Sequence, residues 1–419
     1  MTDAGGDNAA NGQEASGGPL AGLRVIELGS TVAGPFCARL MADFGADVIK
    51  VEQADGDTIR TFSHRKDGVS LYNASMQRGK RIASINLRTD DGRELVRRLC
   101  YGADIVVENF RPGTLERWGL GYEDLSKANA GLIMVRISGF GQDGPYAPRG
   151  GYGVVCEAVS GLREITGDPD RPPPRVATSM ADYIAGLYGA FGAMMALNGR
   201  HRTGRGQIVD SSLFEGSFSF MEPHVPVFQQ LGIVAERAGP LLPGNAPNSI
   251  YPSRDGRYLV MAAAANGVFA RLVDAMGKPE LASDPKFSNG VARAENQVEI
   301  DGLIAEWSTT LDLEDLEKIL AEAKVPAARI YTVEDIFNDP HYWARDMLVQ
   351  VDEPTLGPVT VTGVVPKLSQ TPGAVRWAGR GIGADTADVL SGTLGLDAAE
   401  MQRLEENGIV AGITPRKDS

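Results

Sequence analysis

Between Leu23 and Ile137 the chain alternates short apolar runs with longer segments of helical period, and this rhythm constrains the fold more than any other feature. Leu23 to Leu28, Ala46 to Val51, Arg81 to Leu87, Ala103 to Glu108 and Leu132 to Ile137 read as buried strands. Pro35 to Phe44, with proline in its first turn, and Asp90 to Tyr101 read as the helices between them. Strand, helix, strand in repetition predicts an α/β fold with a parallel sheet flanked by helices. Ser138 to Pro145 is too rich in glycine to continue the pattern and reads as a loop.

At 419 residues the chain exceeds what one core usually serves, so two domains are expected. A Pro/Gly/Asn cluster from Ala238 to Pro252 marks a boundary. Beyond it a strand, Tyr258 to Ala264, and helices at Val268 to Met276, Glu299 to Trp307 and Leu313 to Ala323 predict a smaller α+β domain. Strand-like alternation resumes in Leu348 to Val351 and Val359 to Val365, followed by helices at Thr386 to Leu394 and Ala398 to Asn407. The expected division is a disordered tail at 1–17, a large domain at 18–225, the small domain with its linkers at 226–342, and a C-terminal part at 343–419.

Lys and Arg number 41 and Asp and Glu 54, a formal net charge of −13, which argues against nucleic acid or an anionic membrane as a general partner. Three cysteines, Cys37, Cys100 and Cys156, form neither a paired framework nor a metal-binding pattern and fit a reducing cytoplasm. No apolar run is read as long enough to span a membrane, and no metal site is expected. Gly29 and Gly34 follow the first strand, yet the third glycine of a dinucleotide fingerprint is missing and the spacing is wrong.

Asp182 stands in the first turn of a small-residue helix, where an acid alone is an ordinary cap. Its surroundings give it more weight. The stretch from Ala181 to Gln207, with Gly-Ala-Phe-Gly-Ala-Met-Met-Ala-Leu from Gly189 and Arg-x-x-Thr-Gly-x-Gly-Gln from Arg200, resembles the active-site region of the family III CoA-transferases. Upstream, Pro19 to Leu28, Ala33-Gly34-Pro35, Gly45 to Glu52, Arg78-Gly79-Lys80-Arg81 and Val107 to Gly113 resemble the motifs of that family in the same order. The likeness runs from about Pro19 to near Val410.

The resemblance implies a Rossmann-like large domain, a small domain inserted into it, and a C-terminal return that closes a ring-shaped chain within an interlinked homodimer. It implies Asp182 as nucleophile and coenzyme A thioester as substrate, with no permanently bound cofactor. By position in the motifs, Val32 and Ala33 would lie against CoA, Lys80, Asn109, Phe110 and Arg117 would hold its nucleotide part, and Ser138, Gly139 and Phe140 would border the pantetheine arm. Two departures stand out. Gln53 replaces an arginine that formyl-CoA transferase has near the adenine, and Leu242 to Asn248 replaces its run of lid glycines.

An aspartate with a reference pKa of about 3.9 is ionised at neutral pH, and a thiol of pKa about 8.5 is a good leaving group. Attack on an acyl-CoA would therefore give an aspartyl anhydride, and the freed thiolate would convert it to aspartyl-CoA. Backbone amides near Gly139 or Gly244 are candidates for the oxyanion. The α-methylacyl-CoA racemases of the same family need a second acid/base group, supplied by a Gly-His-Asp element where this chain has Arg149-Gly150-Gly151-Tyr152. A non-catalytic CoA-binding protein is a third reading. For a second carboxylate on the acceptor acid, Arg149, Arg175 and Arg254 are candidates.

Overall fold

The computed structural model describes residues 17–414, so the expected tail falls, but for Gly17, outside them. The chain forms two compact units. One comprises the residues up to Ser160, Val176–Glu222 and His341 onward; the other comprises Gly161–Arg175 and Pro223–Pro340. Against the expected cuts at 225/226 and 342/343, the units part a few residues earlier. The segment 161–175, expected in the large domain, groups with the smaller unit. Hydrogen bonds explain this: Gly239 donates its N–H to the Gly167 carbonyl and Arg237 donates to Glu164 and Asp168.

The first unit is built on strands β1 (Arg24–Glu27), β2 (Asp47–Glu52), β3 (Arg81–Ile85), β4 (Ile105–Glu108), β5 (Ile133–Ser138) and β6 (Ile208–Ser212). They pair in the order β3-β2-β1-β4-β5-β6, all parallel, and Val410–Ala411 adds a short antiparallel strand outside β3. This is the doubly wound order, in which the chain reverses direction across the sheet between β1 and β4 and leaves a crevice beyond their carboxyl ends. Helices α1 (Ala33–Asp43), α2 (Asp90–Tyr101), α3 (Gly153–Val159) and α4 (Met180–Thr203) belong to the same unit.

One core layer holds Ile26, Ile49, Val106 and Met134 with Leu95 and Leu99 of α2; the other holds Val25, Val48, Val107 and Val135 with Cys37 and Met41 of α1 and the alanines of α4. Strands β1 to β5 thus bury both faces, which is why their residues read as continuous apolar runs. The long helix α4 runs to Thr203. Its small residues let it press on α1: a β-carbon at Gly186 would stand 2.7 Å from the Ala33 carbonyl oxygen. By length and composition α4 could cross a membrane, which corrects the expectation from the sequence. Its buried Ala181, Ala185, Ala190, Ala193 and Ala196 instead make it a core helix of this unit.

The second unit carries a three-stranded antiparallel sheet, Ala327–Arg329 beside Tyr258–Ala262 beside Asn248–Pro252. Helices Asn266–Ala275, Gln297–Ser308 and Leu313–Glu322 share one apolar core with it, including Phe269, Ile300 and Leu316.

Candidate active site

A cavity of about 230 Å³ opens at the crevice between β1 and β4. Ser30, Thr31 and Ala33 form the wall after β1; Asn109, Phe110 and Arg111 that after β4; Ser138 and Gly139 that at the end of β5. Asp182 and the segment Arg149 to Tyr152 complete it. This is where an open α/β sheet places its ligands, and the location follows from strand order alone.

The wall after β1 is held from below. Lys50, fully buried, donates to Glu27 Oε1 at 2.9 Å and to the Gly29 carbonyl at 2.7 Å, and its ammonium lies 2.8 Å from Asp57 Oδ2. Asp57 in turn accepts the N–H groups of Thr31 and Ile59 at 2.9 and 3.0 Å. Thr31 needs this support because its φ is +69°, in the left-handed region that β-branched residues avoid. Asn109 ties the two walls together: its Oδ1 accepts the Ser30 N–H at 2.8 Å and its Nδ2 donates to the Ser30 carbonyl at 2.9 Å. Below Phe110, Glu108 accepts that residue's N–H at 2.7 Å and is itself gripped by Arg136 at 2.8 Å.

Asp182, half-buried in the first turn of α4, faces Gly153 at the start of α3. Its carboxylate lies so close over the Gly153 Cα that any β-carbon there would collide with Oδ2. Gly139 and Gly151 also meet backbone to backbone, since a β-carbon on Gly139 would stand 2.5 Å from the Gly151 Cα. Cys156 lies beneath and donates its thiol to the Gly139 carbonyl at 3.2 Å. Burial, then the Asp182 charge, push that thiol up to about 11. Cys100 is pushed to about 12 by burial, and Cys37 higher still.

Of the residues expected from the sequence, Ala33, Asn109, Phe110, Ser138, Gly139 and Asp182 line the cavity together. Val32, next to Ala33, is buried in a cluster with Ile59 and Met76 and does not line the cavity. Phe140 packs edge-on against Tyr146, outside the lining. Arg117 is exposed in the helical turn Thr114–Arg117, donating to Thr114 at 3.0 Å, and does not line the cavity.

Lys80 is a correction. It is fully buried, and its ammonium is spent on Glu27 at 2.6 Å, the Pro35 carbonyl at 2.8 Å and Gln77 at 2.8 Å, so no donor faces a phosphate. Its basic neighbours are likewise paired, Arg78 with Asp43 and Arg81 with Asp47. The apparent cluster is therefore framework. Of the candidate arginines for the acceptor acid, Arg149 lines the cavity, whereas Arg254 pairs with Asp312 in the second unit and Arg175 also belongs to that unit. Arg111, Gly150, Gly151 and Tyr152 also line the cavity, beyond the residues that the motifs indicate; the paired glycines before Tyr152 are their signal in the sequence.

Residues 20–386 match the family model for CoA-transferase family III. The chain is 46% identical to succinyl-CoA–D-citramalate CoA-transferase of Chloroflexus aurantiacus, over 94% of this chain and 98% of that one. It is 37% identical to succinyl-CoA:mesaconate CoA-transferase of Haloarcula marismortui, over 84% and 91%. A CaiB/BaiF family protein from Brucella suis superposes with a TM-score of 0.81 at 35% identity, covering 90% of this chain and 100% of that structure. The chain belongs to the family III CoA-transferases and is an enzyme of that class.

Proposed function

We propose that the enzyme moves CoA from a succinyl-CoA-type donor to a dicarboxylic acid by covalent catalysis on Asp182. The observation that carries this is the Asp182 carboxylate set into the cavity at the switch point, opposite the walls formed by Ala33 and Asn109. A carboxylate oxygen attacks the thioester carbonyl, the C–S bond breaks, and the CoA thiolate leaves an aspartyl–acyl anhydride behind. The thiolate then attacks the aspartyl carbonyl, the donor acid departs as its carboxylate, and aspartyl-CoA remains. The acceptor carboxylate attacks that thioester and the thiolate returns to the acceptor's acyl carbon. That last attack releases Asp182 as a free carboxylate; the anhydrides are the high-energy intermediates, and overall one CoA thioester is exchanged for another of similar energy. The Gly139 N–H is our candidate for the developing oxyanion.

The thioester's nucleotide end runs along Ala33 and the start of α1 toward Phe110 and Arg117, where a helix N-terminus and guanidinium groups favour phosphate. Among the described residues the lining holds no histidine and no carboxylate besides Asp182, which supports transfer over racemisation, a reaction that needs two acid/base groups. The dicarboxylate class rests on the relatives, both named for transfer from succinyl-CoA to such an acid. We place the enzyme in the cytoplasm, where its three free, buried thiols stay reduced.

For assembly we propose a homodimer. Leu187, Phe191 and Met195 recur at helical spacing on α4 and are 57, 58 and 51% exposed, a stripe that a second copy would cover. The activity is tested by incubating succinyl-CoA with a panel of dicarboxylic and monocarboxylic acids and identifying new acyl-CoA products by mass spectrometry. Formation of a dicarboxylyl-CoA is expected; free CoA and succinate as the only products would reduce the protein to a hydrolase.

A further inference from the structure

We infer that Arg149 receives the distal carboxylate of the dicarboxylate and so sets the acid specificity of the enzyme. This rests on the transferase reading above. A dicarboxylate brings two negative charges, of which one reacts at Asp182. The other is left in a cavity that already holds a carboxylate, so a cation must meet it or its desolvation opposes binding.

The charged side chains lining the cavity are Arg111, Arg149 and Asp182. Neither arginine has a carboxylate partner among the described residues. Fourteen other arginines do, among them Arg60, Arg78, Arg136 and Arg200. Two positive charges against one negative, in a protein of net charge −13, make this a local anion site.

The two arginines differ in where their backbones are anchored and in what holds their side chains. Arg111 is anchored in the wall after β4, beside Phe110, and its guanidinium reaches toward Gly150, where a β-carbon would stand 3.7 Å from Nη2. Arg149 precedes Gly150-Gly151-Tyr152-Gly153, the segment that ends against the Asp182 carboxylate. Four residues of chain span at most about 14 Å, so its backbone is tethered close to the reacting centre. Its guanidinium lies 4.2 Å from the centroid of the Tyr146 ring, and the Arg149 backbone N–H donates to the Tyr146 carbonyl at 2.9 Å. Stacking on the ring face holds the planar group while leaving its edge of N–H donors free to fork onto a carboxylate.

The test compares wild type, Arg149→Gln and Arg149→Lys with succinyl-CoA as donor and with acceptors of matched length, one dicarboxylate and one monocarboxylate. CoA affinity is measured separately by titration with free CoA. The ratio of kcat/KM for the dicarboxylate over the monocarboxylate should fall about 10- to 100-fold in Arg149→Gln, the range for losing a hydrogen bond to a charged group. The loss should sit in the acceptor KM and be partly restored in Arg149→Lys, which keeps charge without the fork. CoA affinity should stay within twofold of wild type. An unchanged selectivity ratio, or a loss shared equally by both acids together with weakened CoA binding, would make Arg149 a CoA-binding or structural residue and overturn the proposal. A wild-type protein that transfers CoA to no acid overturns the transferase reading itself, a distinguishable failure.

Discussion

Gly153 is fixed by the charge above it. Because the Asp182 carboxylate lies over its Cα, Gly153→Ala has to push the carboxylate aside. A displacement of about 1 Å can cost on the order of 100-fold in rate, so kcat should fall at least tenfold while the melting temperature changes little. Steady-state kinetics beside a thermal melt checks this, and a variant with wild-type kcat would mean that the carboxylate does not act from this position. Lys80→Met behaves in the opposite way: it should cost about 3 kcal/mol of stability, the low end for a broken buried pair because Lys50 still faces Glu27. The salt dependence of CoA affinity should not change, since no phosphate contact is lost; denaturant titration and CoA binding at two salt concentrations separate the two outcomes. The thiol of Cys156 reports on the same charge. Held near 11 by burial and then by Asp182, it should resist alkylation at neutral pH, and Asp182→Asn, by removing the negative charge, should lower that value and quicken alkylation at pH 9.

At the level of elements, the site depends on the loop from Gly29 to Thr31 and on the buried charges that hold it. Asp57→Ala removes the acceptor for the Thr31 N–H and a counter-charge of Lys50, leaving a strained backbone worth about 1–3 kcal/mol without support. The KM for acyl-CoA should rise several-fold, more than kcat falls; an unchanged KM would remove the loop from the binding account. The elements β1 to β5 were legible because strands buried on both faces are apolar throughout, and Asp182 was legible because a motif surrounds it. β6 was not, since Ile208-Val209-Asp210-Ser211-Ser212 lies at one end of the parallel run and turns polar after two residues. Helix α3 was hidden by the glycines around it, and with it the contact between Gly153 and Asp182. Lys80 misled for a tertiary reason: Asp43, Glu27 and Asp47 neutralise the 78–81 cluster from positions 34 to 53 residues away, a pairing that composition does not display.

For the molecule as a whole, we extend the proposed homodimer to an interlinked one, which would tie folding to association. Sedimentation should give twice the 44.6 kDa chain mass at all concentrations where the protein is folded, and the melting temperature should rise with protein concentration. A folded, active monomer would remove the interlinking. The account stands or falls, however, on the covalent role of Asp182. Wild-type enzyme incubated with succinyl-CoA in the absence of acceptor, quenched, digested and mapped by mass spectrometry should carry CoA on the peptide containing Asp182, and Asp182→Asn should carry none and transfer at less than a thousandth of the wild-type rate. CoA found on another residue, or transfer by Asp182→Asn within tenfold of wild type, would contradict it.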